Sequence, residues 1–514
     1  MMFFMGLVFM LFFFYCIHTY NYWSRRGVKQ ISLFSLLRMF KLQCLNQVSE
    51  VELYENLYAA NSNEKIVGFY VFTSPVLMVR DPEIIKYVLI RDFDTFYSRG
   101  ILELDKEPEP FLNQIFFSVG DLWKLLRKNI SPAFSTGKIK GMFHQILERA
   151  EKLQHIACTA DKGEIDAVDL VKRYSVDVVG ACGLGIDLNT LNGEHEVVLK
   201  LCKRFFKPTK RDILVYLLKL NMPAIFKHVH IISSFLEDTT KAVVDIIMKQ
   251  RNNEPSDRND FVDLLLKLKK KGTMVGDSLT RKNVDGSPTK TEVEFTDALL
   301  TAQVFMYMAA GTDTTTSATS YTLYELGHHP EYQRKCHEEI DFVLARHGNQ
   351  LTYEAIKEMK YLEACFREAL RLFSPTGNFM RKCMKQYTIP GTNVTLDPGV
   401  LVVVPAQAVH MDPQYFPDPE RFCPDRFYGE HATFKDAYMP FGKGPRACIG
   451  EHLAYIQSLV AVAAVLRQSC VSPVGERPSR VPRDLNTTII QNIKAPLRIK
   501  VTLRTNSNEN INKL

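Results

Sequence analysis

The chain has 514 residues, 46% of them hydrophobic, which is enough for a large core. Its net charge of +7 and pI near 8.7 are mild and spread along the chain, so no nucleic-acid partner is indicated; a membrane surface or an acidic protein fits better. Eleven cysteines without a C-x-x-C pair exclude a disulfide or zinc framework, and most are expected to act as small hydrophobes in a reducing compartment.

Met1 to Ile17 carries no charge and is almost wholly apolar. As a helix rising ~1.5 Å per residue it reaches roughly 26 Å, slightly short of a ~30 Å hydrocarbon layer. Tyr20, Tyr22 and Trp23 extend it as an interfacial aromatic belt, and Arg25, Arg26 and Lys29 form a basic flank. A cleavable signal would have a positive start and a small-residue cleavage site, and neither is present. The alternative to an anchor is a buried core helix. The reading adopted is an uncleaved membrane anchor at 1–23, a basic juxtamembrane linker at 24–45, a catalytic domain at 46–503 and a polar tail at 504–514.

Further along, "IVGFYVFTSPVLMVRDPEIIKYVLI" reads as two short strands and a helix opened by Asp81-Pro82. Leu122 to Lys249 is mainly helical in pattern. "KQRNNEPSDRND" and "TMVGDSLTRKNVDGSPTKTE" read as polar loops around a short amphipathic helix. A long helix is expected over roughly Thr296 to Leu326, closed by Gly327 and Pro330, and another over Thr352 to Phe373. Short strands follow in "YTIPGTNVTL" and "GVLVVVP". The fold class is mainly α, an α+β arrangement of many helices with small β-sheets behind an N-terminal transmembrane helix.

The chemistry concentrates in "PFGKGPRACIGEHLA". Glycines permit positive φ and close backbone approach, and a helix start beyond Cys448 directs free N–H groups toward it. Such surroundings stabilise a thiolate, and a buried thiolate suits an iron ligand. The cysteine and glycines alone would read as a structural cysteine in a glycine-rich turn. In "MAAGTDTTTS", Thr312 to Thr316 wrap more than a full helical turn, so they cannot all face solvent. A mid-helix Gly311 costs ~1 kcal/mol against Ala, which suits a site better than it suits stability. The alternative is the polar face of an amphipathic helix. "EALR" places Glu368 and Arg371 at i, i+3, a spacing also found in exposed helix pairs, and "WKLLR" places Trp123 and Arg127 one turn apart, also compatible with a surface helix.

The string Phe441, Gly444, Arg446, Cys448, Gly450 resembles the F-x-x-G-x-R-x-C-x-G loop of the cytochrome P450 family of haem-thiolate monooxygenases. The resemblance runs over most of the chain, and "YNYWSRRGV", "DPEIIKYVLIRDFDTFYSRG" and "YTLYELGHHPEYQRKCHEEI" are similar to insect microsomal members. It implies the cytochrome P450 fold, haem b (iron protoporphyrin IX) as cofactor and Cys448 as the iron ligand. It implies that Glu368, Arg371 and Arg421 of "PERF" form a buried structural triad, and that Trp123, Arg127, Arg381 and Arg446 hydrogen-bond the haem propionates. By the same match Gly311 opens a groove for O₂, while Asp313 and Thr314 relay protons. The implied reaction inserts one oxygen atom of O₂ into a lipophilic small molecule, xenobiotic or endogenous. Its electrons come from NADPH through the flavoprotein NADPH–cytochrome P450 reductase, with cytochrome b5 as a second donor. The implied location is the endoplasmic reticulum membrane, single-pass, with the catalytic domain cytosolic. Rival readings are a haem-thiolate isomerase or dehydratase that needs no reductase, and a haem sensor or lipophile carrier.

Three features depart from the family. No proline precedes Pro75, "FSPTGNFM" with Asn378 replaces a proline-rich run, and "TTIIQNIKAPLRIKV" lacks a Gly-Gly turn. Phe111, Phe116 and Phe117, and the stretch "CKRFFKPTKRDILVYLLKLNMPAIF", are expected around the substrate pocket. Lys124, Lys128 and Lys443 are expected as a basic patch for the electron donor.

Overall fold

A computed structural model of the chain describes residues 19–71, 73–101, 109–226, 228–429, 436–476, 478 and 480–504. The apolar segment Met1 to Ile17 and the tail beyond 504 lie outside the described residues. Among the described residues no helix is long and apolar enough to cross a membrane. The chain divides into two compact units.

The first unit comprises Met1–Glu103, Thr376–Pro419 and Phe434–Cys448. Its centre is a four-stranded sheet of β1 (Ile66–Val71), β2 (Ser74–Val79), β3 (Phe379–Lys382) and β4 (Leu401–Val404), in the order β1-β2-β4-β3. β1 and β2 pair antiparallel, β2 and β4 parallel, and β3 and β4 antiparallel, with Arg381 opposite Val402. The helix opened by Asp81-Pro82 forms as expected, because the Asp81 carboxylate accepts from Glu83 N and Ile84 N at 2.9 and 3.2 Å.

The boundary of the anchor at 23 needs correction. Trp23 is fully buried, and its Nε1 donates to Phe69 O at 3.0 Å. Its ring fills the slot left by Gly68, where a β-carbon would lie 2.3 Å from Trp23 Cγ. Tyr20 stacks on Tyr70 with ring centroids 4.5 Å apart, and Arg26 pairs with Asp397. These aromatics are drawn to a strand edge that offers a carbonyl and a side-chain-free slot, so they belong to the folded unit and not to a membrane belt. The linker is structured too. It contains α1 (Leu33–Cys44), whose Leu33, Phe34, Leu37 and Phe40 are exposed.

The second unit comprises Leu104–Pro375, Glu420–Thr433 and Ile449–Leu514 and is mainly helical. The helices that matter for chemistry are α2 (Gly120–Ile130), α3 (Ala167–Val179), α4 (Asp297–His328), α5 (Lys360–Leu372) and α6 (Glu451–Gln468). α4 begins where Thr296 accepts from Leu299 N at 3.2 Å. It runs through Gly327, the expected terminator, because Pro330 starts the next helix two residues after His328. The helix expected over Thr352 to Phe373 is two helices broken at Met359, since the Glu339 carboxylate accepts from Tyr361 N and Leu362 N at 2.7 and 2.9 Å and caps a new start.

The expected loop "TMVGDSLTRKNVDGSPTKTE" is instead a hairpin of Thr273–Lys282 and Pro288–Glu294. The buried residues of its first strand are Met274, Gly276 and Ser278. These residues alternate as a strand should, but two are too small to register as hydrophobic periodicity. The hairpin packs on α2: Ser278 Oγ donates to the Asp121 carboxylate at 2.9 Å, and Leu279 N does so at 2.6 Å.

Candidate active site

In the first unit, the chain from Met439 to Cys448 folds into a tight loop. Gly442 N donates to Met439 O at 3.0 Å, Ala447 N to Gly444 O at 2.9 Å, and Cys448 N to Phe441 O at 2.9 Å. Gly442 and Gly444 have φ of 72° and 75°. At Gly444 a β-carbon would also lie 1.9 Å from Leu89 O, so both conformation and space demand glycine. Gly450 needs no such freedom; with φ of −95° it is the residue preceding α6. Cys448 is exposed on this loop, whereas Cys182, Cys202, Cys336, Cys365 and Cys383 are buried. Burial pushes the Cys182 and Cys202 thiols up to about 12.

Two arginines accompany the loop in this unit. Arg446 is buried and donates from Nε to Tyr97 O at 2.6 Å. Arg381, on β3, is 2% exposed and donates from Nη1 to Met380 O at 2.8 Å. Its buried Nε has no hydrogen-bond partner among the described residues. Burial pushes its pKa down to about 10, the mark of a cation set in a low-dielectric place. A buried guanidinium in that state fits a bound carboxylate, and an accessible thiol on a rigid loop fits an iron ligand. Lys443, expected at an exposed patch, instead turns onto Asp436, donating to its carbonyl at 3.0 Å and lying 3.7 Å from its carboxylate. Its pKa is lowered by burial.

In the second unit, α4 carries the polar run. Its hydroxyls are satisfied along their own helix: Thr312, Thr314 and Thr316 donate to Met308 O, Ala310 O and Thr312 O at 2.7, 2.8 and 2.8 Å. Thr315 accepts from Gln457 Nε2 of α6 at 2.6 Å. Asp313 is buried, with Lys172 Nζ of α3 at 2.9 Å and Asn492 Nδ2 donating to it at 3.1 Å. Gly311 has a packing reason, since a β-carbon there would lie 2.7 Å from Val179 Cγ2 of α3. Tyr307, Ala310, Gly311 and Thr314 remain partly accessible in the middle of α4, whereas Thr315 to Gly327 are buried.

An apolar cluster lies beside this face. Phe206, Ala309 and Ile490 are buried together with Phe205 and Ile489 against them, and the Phe205 and Phe305 rings are 4.6 Å apart. Ile489 has φ of 72°, a strained position for a β-branched residue. Phe111 packs on Phe305 at 5.1 Å as part of the core, and Phe116 meets Phe117 edge-on at 5.1 Å.

Behind these, Arg371 grips Glu368 through two hydrogen bonds of 2.8 Å, and both are fully buried. Arg371 donates to the Arg421 carbonyl at 3.2 Å. Cys423 N donates to Glu368 at 3.0 Å, and Arg426 Nε lies 3.4 Å from it. On α2, Trp123 is buried and Arg127 half-buried.

Lys172, Asn492, Gln457 and Arg426 were not singled out by sequence reasoning. No clear local signal marks Lys172, which lies in "LVKRYSVDVV" beside Arg173 and near Asp177.

A family model described as Cytochrome P450 matches residues 36–499. Curated relatives include cytochrome P450 6B6 of Helicoverpa armigera, 33% identical over 469 residues and 90% of each chain. Cytochrome P450 6B1 of Papilio polyxenes is 32% identical over 90% of this chain and 91% of its own. Probable cytochrome P450 6a13 of Drosophila melanogaster is 31% identical over 87% of this chain and 88% of its own.

Proposed function

The chain belongs to the cytochrome P450 family of monooxygenases, and from that premise we propose that it inserts one oxygen atom of O₂ into a lipophilic small molecule. Haem b, held by the Cys448 thiolate, supplies the one-electron and O₂ chemistry when bound. Its electrons come from NADPH through a flavoprotein reductase, with cytochrome b5 as a second donor. The observation that carries this reading is the pairing, in one unit, of an exposed Cys448 thiol on a rigid loop with a buried Arg381.

In the first unit Arg381 and Arg446 bind propionates as charge-assisted donors. In the second, Trp123 and Arg127 match the W-x-x-x-R pattern of the family's propionate-binding helix. Phe441 packs beside the ligand cysteine. Glu368, Arg371 and the Arg421 carbonyl brace the irregular segment from 420 to 427. Thr314, partly accessible on α4, holds a proton at its Oγ1, and Asp313 is the acid behind it. Phe205, Phe206, Ile489 and Ile490 exclude water and favour an apolar substrate.

The location proposed is the endoplasmic reticulum membrane, with Met1 to Ile17 as a single-pass anchor and the catalytic domain cytosolic. The exposed Leu33, Phe34, Leu37 and Phe40 of α1, beside Arg38 and Lys41, support contact with a lipid surface.

The test is reconstitution of the haem-loaded protein with NADPH–cytochrome P450 reductase against a panel of lipophiles. Hydroxylated or epoxidised product that depends on NADPH and O₂ is expected. Conversion of organic peroxides without NADPH would move the function to an isomerase or dehydratase, and tight lipophile binding without turnover would move it to a carrier.

A further inference from the structure

The hairpin of Thr273–Lys282 and Pro288–Glu294 packs its first strand on α2, and its tip, Asn283 to Pro288, is exposed throughout. Ser287 stands there in the string Ser287-Pro288-Thr289-Lys290. The chain has five Ser-Pro dipeptides, and only this one carries a basic residue three places after the serine; Leu77, Phe134, Gly377 and Gly475 follow the others. Ser374 is fully buried, Ser131 and Ser472 are half-buried, and Ser74, though exposed, has the apolar Leu77 at that place.

The backbone beyond Ser287 is already extended. It pairs only with its hairpin partner among the described residues, so its other edge is open to a binding groove. The proline after the serine removes an N–H that such a groove would have to satisfy, and Lys290 supplies a cation. Lys290 meets Asp277 at 2.6 Å, but its side chain is 77% exposed, and so open a pair costs only ~0–1 kcal/mol to break. The Ser287 Oγ donates to the Asp285 carboxylate at 2.6 Å and accepts from Asn283 Nδ2 at 2.9 Å. The Ser287 hydroxyl and amide hold the Asp285 carboxyl below its ordinary range, so a dianion attached at Oγ meets an ionised carboxylate and opens the turn.

We propose that Ser287 is a phosphorylation site for a proline-directed serine/threonine kinase, and that its phosphate is a charge switch on the face of α2. Phosphoryl transfer joins Ser287 Oγ to the γ-phosphorus of ATP, breaks the bond to the bridging oxygen of the departing ADP, and releases the hydroxyl proton. The phosphate adds about −1.5 to −2 charge at neutral pH. The hairpin carries three cations, Arg281, Lys282 and Lys290, against four acids, Asp277, Asp285, Glu292 and Glu294, so the addition turns it strongly acidic. Asp277 is held below its ordinary pKa by Lys290 first and then by the charges of Lys124 and Lys128, which places these α2 lysines within electrostatic reach of the hairpin. Ser287 lies three residues from Lys290, which pairs with Asp277, or about 10 Å along an extended strand. That is well inside the Debye length of ~30 Å at 0.01 M salt and just beyond the ~8 Å at physiological strength. An acidic electron donor approaching α2 is therefore repelled most at low salt. This consequence rests on the readings that the catalytic domain is cytosolic and that the donor approaches α2.

The experiment incubates the full-length, haem-loaded protein with ATP and a proline-directed kinase that selects Lys or Arg at the third place after serine. One phosphate per chain is expected, mapped by mass spectrometry to Ser287, absent from Ser287→Ala and incorporated several-fold more slowly in Lys290→Ala. No incorporation, incorporation at another Ser-Pro serine, or an undiminished rate in Lys290→Ala overturns the site. Stopped-flow reduction by NADPH–cytochrome P450 reductase then compares the phosphorylated protein with kinase-treated Ser287→Ala. Reduction is expected to be several-fold slower in the phosphorylated protein at low salt, with the gap closing as salt rises. Equal rates across the titration overturn the charge switch. If the unmodified protein is not reduced at all, the monooxygenase reading falls, while the labelling still decides the site.

Discussion

Gly311 and Val179 meet with no room for a side chain between them: a β-carbon at 311 would lie 2.7 Å from Val179 Cγ2. The contact joins α4 to α3, two residues before Asp313 on α4 and seven residues beyond Lys172 on α3. Overpacking a core costs typically ~1–3 kcal/mol, whereas alanine in place of a mid-helix glycine contributes ~1 kcal/mol in helix propensity. Gly311→Ala is therefore expected to lower the thermal midpoint by a few degrees, and Val179→Ala added to it to restore part of the loss. A double-mutant cycle by thermal unfolding measures the coupling. Additive effects would mean that the two residues do not meet.

Arg381 should make the haem-free protein less stable and the haem-loaded protein more so. Its pKa is depressed by burial to about 10, so between about 10 and its ordinary value of 12.5 the unfolded chain binds more protons than the folded one. Stability from this group thus rises with pH across that window, and at neutral pH the buried charge is a penalty that a bound carboxylate relieves. Arg381→Met is expected to raise the denaturation midpoint of the haem-free protein and to speed haem loss several-fold. A less stable haem-free variant would contradict the assignment.

Cys448 should be the first thiol to react. It is exposed on its loop, while burial keeps Cys182 and Cys202 protonated with pKa values near 12. Brief alkylation of the haem-free protein, mapped by mass spectrometry, is expected to mark Cys448 ahead of those two, and haem reconstitution to protect it. In the loaded protein Cys448→Ala is expected to abolish the red-shifted Soret band of the reduced carbon-monoxide complex. Retention of that band would move the iron ligand elsewhere.

Thr314→Val removes a hydroxyl whose donor bond goes to Ala310 O and keeps the side-chain shape. Helix stability should change little, since that bond offers only an alternative to solvent. Product per NADPH is expected to fall severalfold and peroxide to rise, with haem content unchanged. Thr316→Val, whose hydroxyl is buried on Thr312 O, serves as the control and should not uncouple turnover.

Lys128 is exposed on α2, while Lys443 is turned onto Asp436. If a basic patch steers the electron donor, Lys128→Glu should slow first-electron transfer at low salt more than Lys443→Glu does. The difference should shrink as salt shortens the Debye length to ~8 Å at physiological strength. Stopped-flow reduction across a salt titration measures both, and equal rates for wild type and Lys128→Glu would place the docking face away from α2.

What the sequence determined by itself was whatever a few neighbouring residues can enforce. Asp81-Pro82 starts a helix because the cap and the fixed φ lie within four residues of each other. Gly442 and Gly444 bend the Cys448 loop because only glycine takes those backbone angles cheaply, and the F-x-x-G-x-R-x-C-x-G string carried the family with it. The tertiary structure decided what each polar or aromatic group meets. Trp23 looked like a membrane-belt residue until the slot at Gly68 claimed it. The hairpin at 273–294 escaped notice because Gly276 and Ser278 alternate without being large and apolar. Glu368 was visible with Arg371 at one helical turn, but Cys423 N and Arg426 reach Glu368, and the Arg421 carbonyl meets Arg371, from a distant segment. Asp313 was visible as a mid-helix acid, whereas nothing in the sequence singled out Lys172. Their pairing depends on which two helices pack and at which turn, and in the second unit that choice is made by side-chain volumes and by a glycine's missing carbon, which helical periodicity does not encode.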